Sequence, residues 1–535
     1  GNLAAAAARA PMRCACCKLF RNDRGPSRKH PSHNVSRRYI RIYLATSHIH
    51  LVNTYQQSNM ARTKSTARKS TAKGPENGAR KLVSSATRES EMSTTKRHIP
   101  IFHFTASFLD KSKLKRAVND YKYISPTKTK FEKLFLNDFW AWMSATWYPN
   151  WLAPNVITLT GFIAFLGPIA TAQYSGNLIA QGTTPNWWLL CACVFHFVYQ
   201  TADGSDGPQA RRLKCGSALG ELVDHGADAI VASLFSLSMA EVCGIGMDSI
   251  WFLLLILGAQ MAFVCSNMTL LHKSSQEFSE WDAQEAQVVG QCLLLGLYVW
   301  NTIHGVEGRG FMERRIPLPG SIAEYGSSVL NHMRLNQCGV NDGECITSDG
   351  ISIRAAWEIG AVYSLWSNAV ADCIRCRRYY FTKENKEKTT FGVGKGLEAL
   401  THQWLSFFVW CSLSVFTWSK LVAQSKHPGY YSFFLPWFIT WAVSYGDFAN
   451  HFLVIRVTRV PFPSPFRHRS MLWMVACAAC LHFAESGSAH GWDMTLLMRL
   501  VAGASILSHV TYCSSMGGAI GEALGVPFFA VKSRA

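Results

Sequence analysis

The chain has 535 residues, 48% of them hydrophobic, with 18 Trp and 31 Phe, and a formal net charge of +19. Apolar runs of about twenty residues recur from residue 154 onward, which excludes a water-soluble globular domain and indicates an all-α polytopic membrane protein. The positive charge does not indicate nucleic acid as a partner, because much of it lies in the first hundred residues and in particular loops between the apolar runs.

Residues 1–100 are rich in Lys, Arg, Ser and Thr without helical or strand periodicity, so a disordered basic cytosolic tail is expected. Within it, ARTKSTARKST from Ala61 to Thr71 resembles the tail of histone H3, but no histone fold follows and no function is built on it. No apolar core with a small-residue cleavage site stands out, so the first span is expected to serve for targeting. Residues 101–153 form a second region. There KTKFEKLFLNDFWAWMSATWYPNWLAPN, from Lys128 to Asn155, sets Phe131, Leu134, Phe135, Phe139 and Trp142 at helical spacing, which predicts an amphipathic helix lying in the membrane interface.

Roughly ten spans are expected, at 154–173, 187–203, 217–243, 250–271, 285–304, 352–374, 397–418, 430–453, 470–485 and 495–513. Basic and charge-poor connections alternate: Arg211, Arg212 and Lys214 follow the second span, RCRRYYFTKENKEK and RVTRVPFPSPFRHR are dense in positive charge, and CGIGMDS carries none. By the positive-inside rule both termini face the cytosol. Helices of 154–305 form the chemical core, 306–350 is a loop on the lumenal side, and 351–535 holds the remaining spans with a short cytosolic C-terminus. The loop breaks the charge rule with Arg309, Arg314 and Arg315. Most of the 17 cysteines fall inside spans as small packing residues, while Cys338 and Cys345 are candidates for a lumenal disulfide.

Between the second and third spans runs DGSDGPQARRLKCGSALGELVDHGAD, Asp203 to Asp228. Asp203 and Asp206 are three apart, Asp224 and Asp228 four apart, so on helices each pair shares a face. Gly207 and Pro208 are expected to end the first helix and allow a short basic turn that lets the faces meet. Four carboxylates converging at low dielectric repel one another unless a cation neutralises them, and hard oxygen ligands favour Mg2+ or Mn2+. Helix caps or solvated surface acids are the plain alternative, and a cation transporter is another. Neither explains the Gly, Ala and Arg between the pairs.

Asp203, Asp206-Gly207, Ala210-Arg211, Gly220, Asp224 and Asp228 match the signature of the CDP-alcohol phosphotransferase family, and DGPQARR with LGELVDHG resembles its choline/ethanolamine phosphotransferase branch. Pro208 replaces the Lys usual there. APNVIT at Ala153 to Thr158 and DAQEAQ at Asp282 to Gln287 are similar to that branch as well, so the resemblance runs from about residue 130 to 290. It implies transfer of phosphocholine or phosphoethanolamine from CDP-choline or CDP-ethanolamine to diacylglycerol, with release of CMP. It also implies an endoplasmic reticulum or Golgi enzyme, embedded in membrane lipid, with its site facing the cytosol. Asp203, Asp206, Asp224 and Asp228 would hold the metal. Gly207 and Ala210 would let the nucleotide approach the backbone, Arg211 would meet its phosphates, and Asn155 and Gly220 would contribute to substrate binding. The base is either His225, oriented by Asp228, or Asp228 itself. Glu221 either extends the metal shell or stabilises the helix start; Glu285 either meets the amino-alcohol cation or serves the helix dipole. Another CDP-alcohol phosphatidyltransferase, of the phosphatidylinositol or phosphatidylglycerophosphate synthase type, is the neighbouring alternative. Choline against ethanolamine preference and assembly as a homodimer stay open.

Overall fold

A computed structural model describes residues 104–122, 128–176, 182–274, 283–333, 335–338, 343–381, 396–424, 430–460, 468–486 and 493–531. The basic tail, with its histone-like stretch, lies outside the described residues, as does Asp282. An entry segment comes first. Asp110 caps α1 (Lys111–Asn119), accepting from the Ser112 hydroxyl at 2.6 Å and from the backbone N–H groups of Lys113 at 3.1 Å and Ser112 at 2.9 Å, and these bonds, the hydroxyl's foremost, hold its carboxyl down at about 2.

The predicted amphipathic helix is present in two pieces, a π-helical turn at Glu132–Leu136 and α2 (Asn137–Thr146). Leu134, Phe135 and Trp142 are exposed, the arrangement an interfacial helix needs, while Trp140 turns inward and is buried. The first expected span divides where Gly167-Pro168 interrupts it, giving α3 (Pro154–Phe165) and α4 (Gly167–Tyr174).

Long helices follow: α5 (Asn186–Leu213), α6 (Ala218–Cys243), α7 (Ile250–Lys273), α8 (Ala283–His304), then a short α9 (Gly320–His332), and α10 (Ile353–Tyr379), α11 (Gly396–Ala423), α12 (Tyr430–Thr458), α13 (Arg469–Glu485) and α14 (Met494–Leu524). Their positions coincide with the expected apolar runs, and the protein is a multi-pass membrane protein. Six described helical stretches are long and apolar enough to cross a membrane by length and composition: 154–174, 218–243, 250–273, 283–304, 396–423 and 494–524. The expected count of ten is larger because α5 and α10 end in polar and charged turns, α12 carries Asp447, Asn450, His451 and Arg456, and α13 has only 17 residues.

α12 is the axle of the bundle. Phe434, Trp437, Phe438, Trp441, Tyr445, Phe448 and Phe452 are all buried, and it packs on α6, α7, α13 and α14. A separate apolar cluster joins α1 (Leu114, Val118) to the start of α6 (Ala218, Leu219), the end of α12 (Val454, Val457) and α14 (Tyr512, Met516, Ile520). These ends therefore share one side of the bundle.

The stretch expected as a loop at 306–350 is folded. It carries α9, a three-stranded antiparallel sheet in the order β1 (Arg315–Ile316), β5 (Gly350–Ser352), β4 (Ile346–Thr347), and the hairpin β2 (Gln337–Cys338) with β3 (Gly343–Glu344). Its arginines are consumed by folding, which accounts for their breach of the charge rule. Arg309 is buried and donates to Thr184 Oγ1 at 2.6 Å and to the Glu241 carbonyl at 3.2 Å; Arg315 donates to the carbonyls of Gly350 and Glu344, both at 3.0 Å; Arg314 lies over the Trp300 ring. Cys345 is disulfide-bonded, and the side chain of Cys338 lies outside the described residues.

Candidate active site

The expected helix end at Gly207-Pro208 is not observed. α5 continues through both residues to Leu213 and stops at Lys214, which adopts the left-handed conformation at φ 52°. Pro208 removes a single intrahelical hydrogen bond, and tertiary packing holds the helix across that gap. Gly204, one turn before it, admits the Trp140 indole of α2 so closely that a Cβ would lie 2.1 Å from Cε2. Gln209 donates to the carbonyls of Pro149 at 3.2 Å and Leu152 at 3.0 Å, and accepts from Ser144 at 3.1 Å. The turn is therefore only Lys214 to Ser217, with Ser217 Oγ accepting from Gly220 N–H at 3.2 Å to start α6.

Two antiparallel helices thus bring their acids together. Tyr199, Asp203 and Asp206 recur at i, i+4 and i+7 along α5; Glu221, Asp224 and Asp228 at i, i+3 and i+7 along α6. One carboxylate oxygen from each of Asp203, Asp224 and Asp228 lies within 4.8 Å of the others. Asp206 is buried beside them and accepts from Thr158 Oγ1 of α3. Tyr199 OH donates to Asp228 Oδ1, and Gln284 Nε2 of α8 donates to Asp203 Oδ2 at 3.0 Å. Gln284 is held in turn by Gln200 Nε2, which donates to its side-chain oxygen at 3.1 Å. Asp224 Oδ1 is buried with no hydrogen-bond partner among the described residues.

This donor set fits a hard divalent cation. At an effective dielectric of about 20, two unit charges 4.8 Å apart repel by roughly 3.5 kcal/mol, so three mutually close carboxylates carry on the order of 10 kcal/mol, comparable to the whole stability of a typical domain. Neutral donors from three elements orient the acids without cancelling that charge, and the unpartnered oxygen of Asp224 is a further ligand atom such a cation could take.

The other sequence-predicted residues divide by location. Arg211 is exposed near Gly207, where a Cβ would stand 3.3 Å from its Nη1. With Pro208, Arg212, Asn137, Asp138, Ala141 and Ser144 it lines a cleft of about 420 Å³ between α2 and α5. Tyr148, at the edge of that region, shares a 2.9 Å hydrogen bond with Ser205, and burial raises its phenol above the ordinary value. Ala210 sits on α5 one position before Arg211. Asn155 and Gly220 come together, the asparagine Oδ1 lying 3.6 Å from a Cβ built on the glycine, but Asn155 Nδ2 donates to the Phe528 carbonyl of the C-terminal segment at 2.9 Å. Glu221 pairs with Arg456 of α12 and is buried against it. Glu285 is buried at the start of α8 and accepts from Thr129 Oγ1.

His225 is half-buried on α6 beside Asn267 of α7, and its Nδ1 has no hydrogen-bond partner among the described residues. The expected Asp228–His225 hydrogen bond is therefore not formed; the Asp228 carboxylate is turned toward Tyr199 and the other acids. Tyr199, Gln284, Thr158 and Arg456 escaped the sequence reading. Signals existed for three of them: Tyr199 precedes Asp203 by one turn, Thr158 ends APNVIT, and Gln284 sits within DAQEAQ. Arg456 had none beyond its charge.

Residues 151–318 match the family model of CDP-alcohol phosphatidyltransferase. These residues form a CDP-alcohol phosphatidyltransferase domain. All four aspartates lie inside it. The chain is similar to Cholinephosphotransferase 1 of Danio rerio, 29% identical over 208 residues, which are 39% of this chain and 51% of the relative. It is 33% identical to Choline/ethanolaminephosphotransferase 1 of Saccharomyces cerevisiae over 194 residues, 35% of this chain and 48% of the relative. A longer match, 27% over 346 residues, covers 64% of this chain and 77% of Cholinephosphotransferase 1 of the same yeast. The chain spans about half the length of the first two relatives. The matched residues take in α3 to α8 and the first part of the folded 306–350 region.

Proposed function

We propose that this chain transfers phosphocholine or phosphoethanolamine from CDP-choline or CDP-ethanolamine to the free hydroxyl of diacylglycerol, forming phosphatidylcholine or phosphatidylethanolamine and CMP. The observation that carries the reading is the convergence of Asp203, Asp224 and Asp228 on one point, with Asp206 beside them, inside a domain of this family. The names of the similar yeast and fish proteins supply the substrate class.

Mg2+ or Mn2+ held by Asp203, Asp206, Asp224 and Asp228 would neutralise the charge that grows on the departing phosphate. Arg211, at the mouth of the site, meets the nucleotide phosphates from water. His225 takes the proton of the diacylglycerol hydroxyl through a ring nitrogen. The lipid oxygen bonds to the phosphorus that carries the amino alcohol, the bridging P–O bond breaks, and CMP leaves with the bridging oxygen. The choice of His225 over Asp228 rests on availability: the carboxylate is engaged with Tyr199 and the acidic cluster, whereas the imidazole Nδ1 is unengaged. Gly207 and Ala210 would leave the backbone accessible to the nucleotide, and the buried carboxylate of Glu285 at the head of α8 would serve the amino-alcohol cation. A water-soluble nucleotide and a bilayer-dissolved acceptor must meet at a membrane boundary. We read that boundary as the cytosolic face of the endoplasmic reticulum or Golgi, a reading whose orientation the basic connections support.

Membranes holding the full chain, incubated with labelled CDP-choline or CDP-ethanolamine, diacylglycerol and Mg2+ or Mn2+, are expected to yield CMP and labelled phospholipid in equal amounts. Product made only when CDP-diacylglycerol is the donor would replace this reading with that of a different CDP-alcohol phosphatidyltransferase.

A further inference from the structure

A second constellation of reactive side chains lies outside the acidic site, where α12, α13 and α14 meet. Asp447 of α12 is fully buried, and its Oδ1 accepts from His509 Nδ1 of α14 at 2.5 Å. A carboxylate cannot donate, so that ring nitrogen carries a proton, and in the neutral imidazole Nε2 is the acceptor. Nε2 faces Cys513 Sγ, one turn along α14, at 3.5 Å. Arg469, the first residue of α13, donates to Asp447 Oδ2 through Nε at 2.8 Å and stacks on the Tyr512 ring, with its guanidinium carbon 3.4 Å from the centroid. The arginine balances the buried carboxylate and fixes its orientation, which leaves the imidazole as an unspent base toward the thiol.

Two further observations bear on what the thiol would meet. Cys513 is exposed, and the same face of α14 exposes Ile506, Leu507 and Val510, so the sulfur opens onto the surface that lipid chains cover. It also stands near the end of the apolar layer: Ser515, two residues on, accepts from the Ala106 backbone N–H of the entry segment at 2.9 Å, and Lys111 pairs with Glu522 at 3.0 Å in the open. A nucleophile there is reached by a molecule whose tail lies in the bilayer and whose polar head lies in water. The other exposed free cysteine among the described residues, Cys292 on α8, has no histidine contact.

We propose that Cys513, His509 and Asp447 form a nucleophilic triad whose thiol accepts a long-chain acyl group from an acyl thioester at the membrane boundary. The Cys513 S–H proton passes to His509 Nε2 and the sulfur attacks the thioester carbonyl. The bond from that carbonyl to the donor's sulfur breaks, and the departing thiol takes the proton back from His509. Asp447 holds the ring in the required tautomer throughout. The products are an S-acylated Cys513 and the free donor thiol.

The test uses the full chain in membranes with radiolabelled palmitoyl-coenzyme A, followed by hydroxylamine, which cleaves thioesters. Hydroxylamine-labile label is expected on the wild type, absent in Cys513→Ser and at least tenfold slower to appear in His509→Asn, whose side-chain amide can still donate to Asp447 but offers no base. Cys513→Ser is expected to keep the rate of phospholipid formation. No labile label on the wild type, or equal label on His509→Asn, overturns the proposal. Should His509→Asn fail to fold, alkylation of the wild type decides it: Cys513 is expected to react with iodoacetamide at least tenfold faster than Cys292 at neutral pH, and equal rates refute the triad.

Discussion

Replacing Asp224 by Asn should act in opposite directions on the metal-free and metal-loaded protein. The substitution removes one charge and with it two of the three close pairs among Asp203, Asp224 and Asp228. At roughly 3.5 kcal/mol per pair the relief would be about 7 kcal/mol. The metal-free wild type has a less costly escape, since taking one proton onto an ordinary carboxyl at pH 7 costs about 4 kcal/mol, and the smaller figure bounds the gain. The variant is therefore expected to be more stable than wild type in chelator by up to about 4 kcal/mol. For a folded body of 150–250 residues each kcal/mol corresponds to about 2–4 °C, so the unfolding temperature should rise by several degrees. With Mn2+ present the order should reverse, because the variant has lost a ligand, and phospholipid formation should fall at least 100-fold. Thermal unfolding of the purified protein in detergent, with chelator and with Mn2+, reads both arms. An Asp224→Asn protein that melts below wild type in chelator would refute the argument that charge repulsion dominates the empty cluster.

Three other substitutions probe separate parts of the site. Tyr199→Phe removes one hydrogen bond to a charged acceptor, worth about 1.5–3 kcal/mol, so the Mn2+ concentration for half-maximal rate should rise roughly tenfold or more while the fold stays intact by circular dichroism. His225→Gln should lower turnover by about 10²–10⁴-fold, as expected for a lost general base, yet leave the Mn2+-induced rise in unfolding temperature unchanged; a lost temperature shift would make His225 a ligand instead. Gly204→Ala pushes a methyl group into the Trp140 ring at 2.1 Å and should cost about 1–3 kcal/mol, detectable as increased protease cutting in the α2 segment.

The acidic site was legible at the level of single helices. Spacings of three and four residues put each aspartate pair on one face whatever the rest of the chain does, because 3.6 residues per turn is a property of the backbone. The same local reasoning misjudged Gly207-Pro208. A proline's cost inside a helix is a few kcal/mol, and the packing of Trp140 on Gly204 with the Gln209 bonds to the α2–α3 connection outweighs it. The Asp228–His225 pairing was geometrically open on an isolated helix, yet Tyr199 from the neighbouring helix took the carboxylate. Arg309, Arg314 and Arg315 upset a charge count that treats every arginine as solvated, since all three are committed to folded contacts.

Composition and periodicity were enough to establish a helical membrane bundle, to predict a helical entry segment with exposed apolar residues and to put each aspartate pair on one helix face, because each follows from hydropathy or from the geometry of one element. Which donor meets which acid could not be read that way. Glu221 and Arg456 are 235 positions apart, Asp447 and His509 are 62, and Asp203 and Gln284 are 81. Such contacts exist only once separate helices have packed, and the free energy that selects them comes from burying faces against each other, a sum over the whole bundle that no short stretch of chain contains.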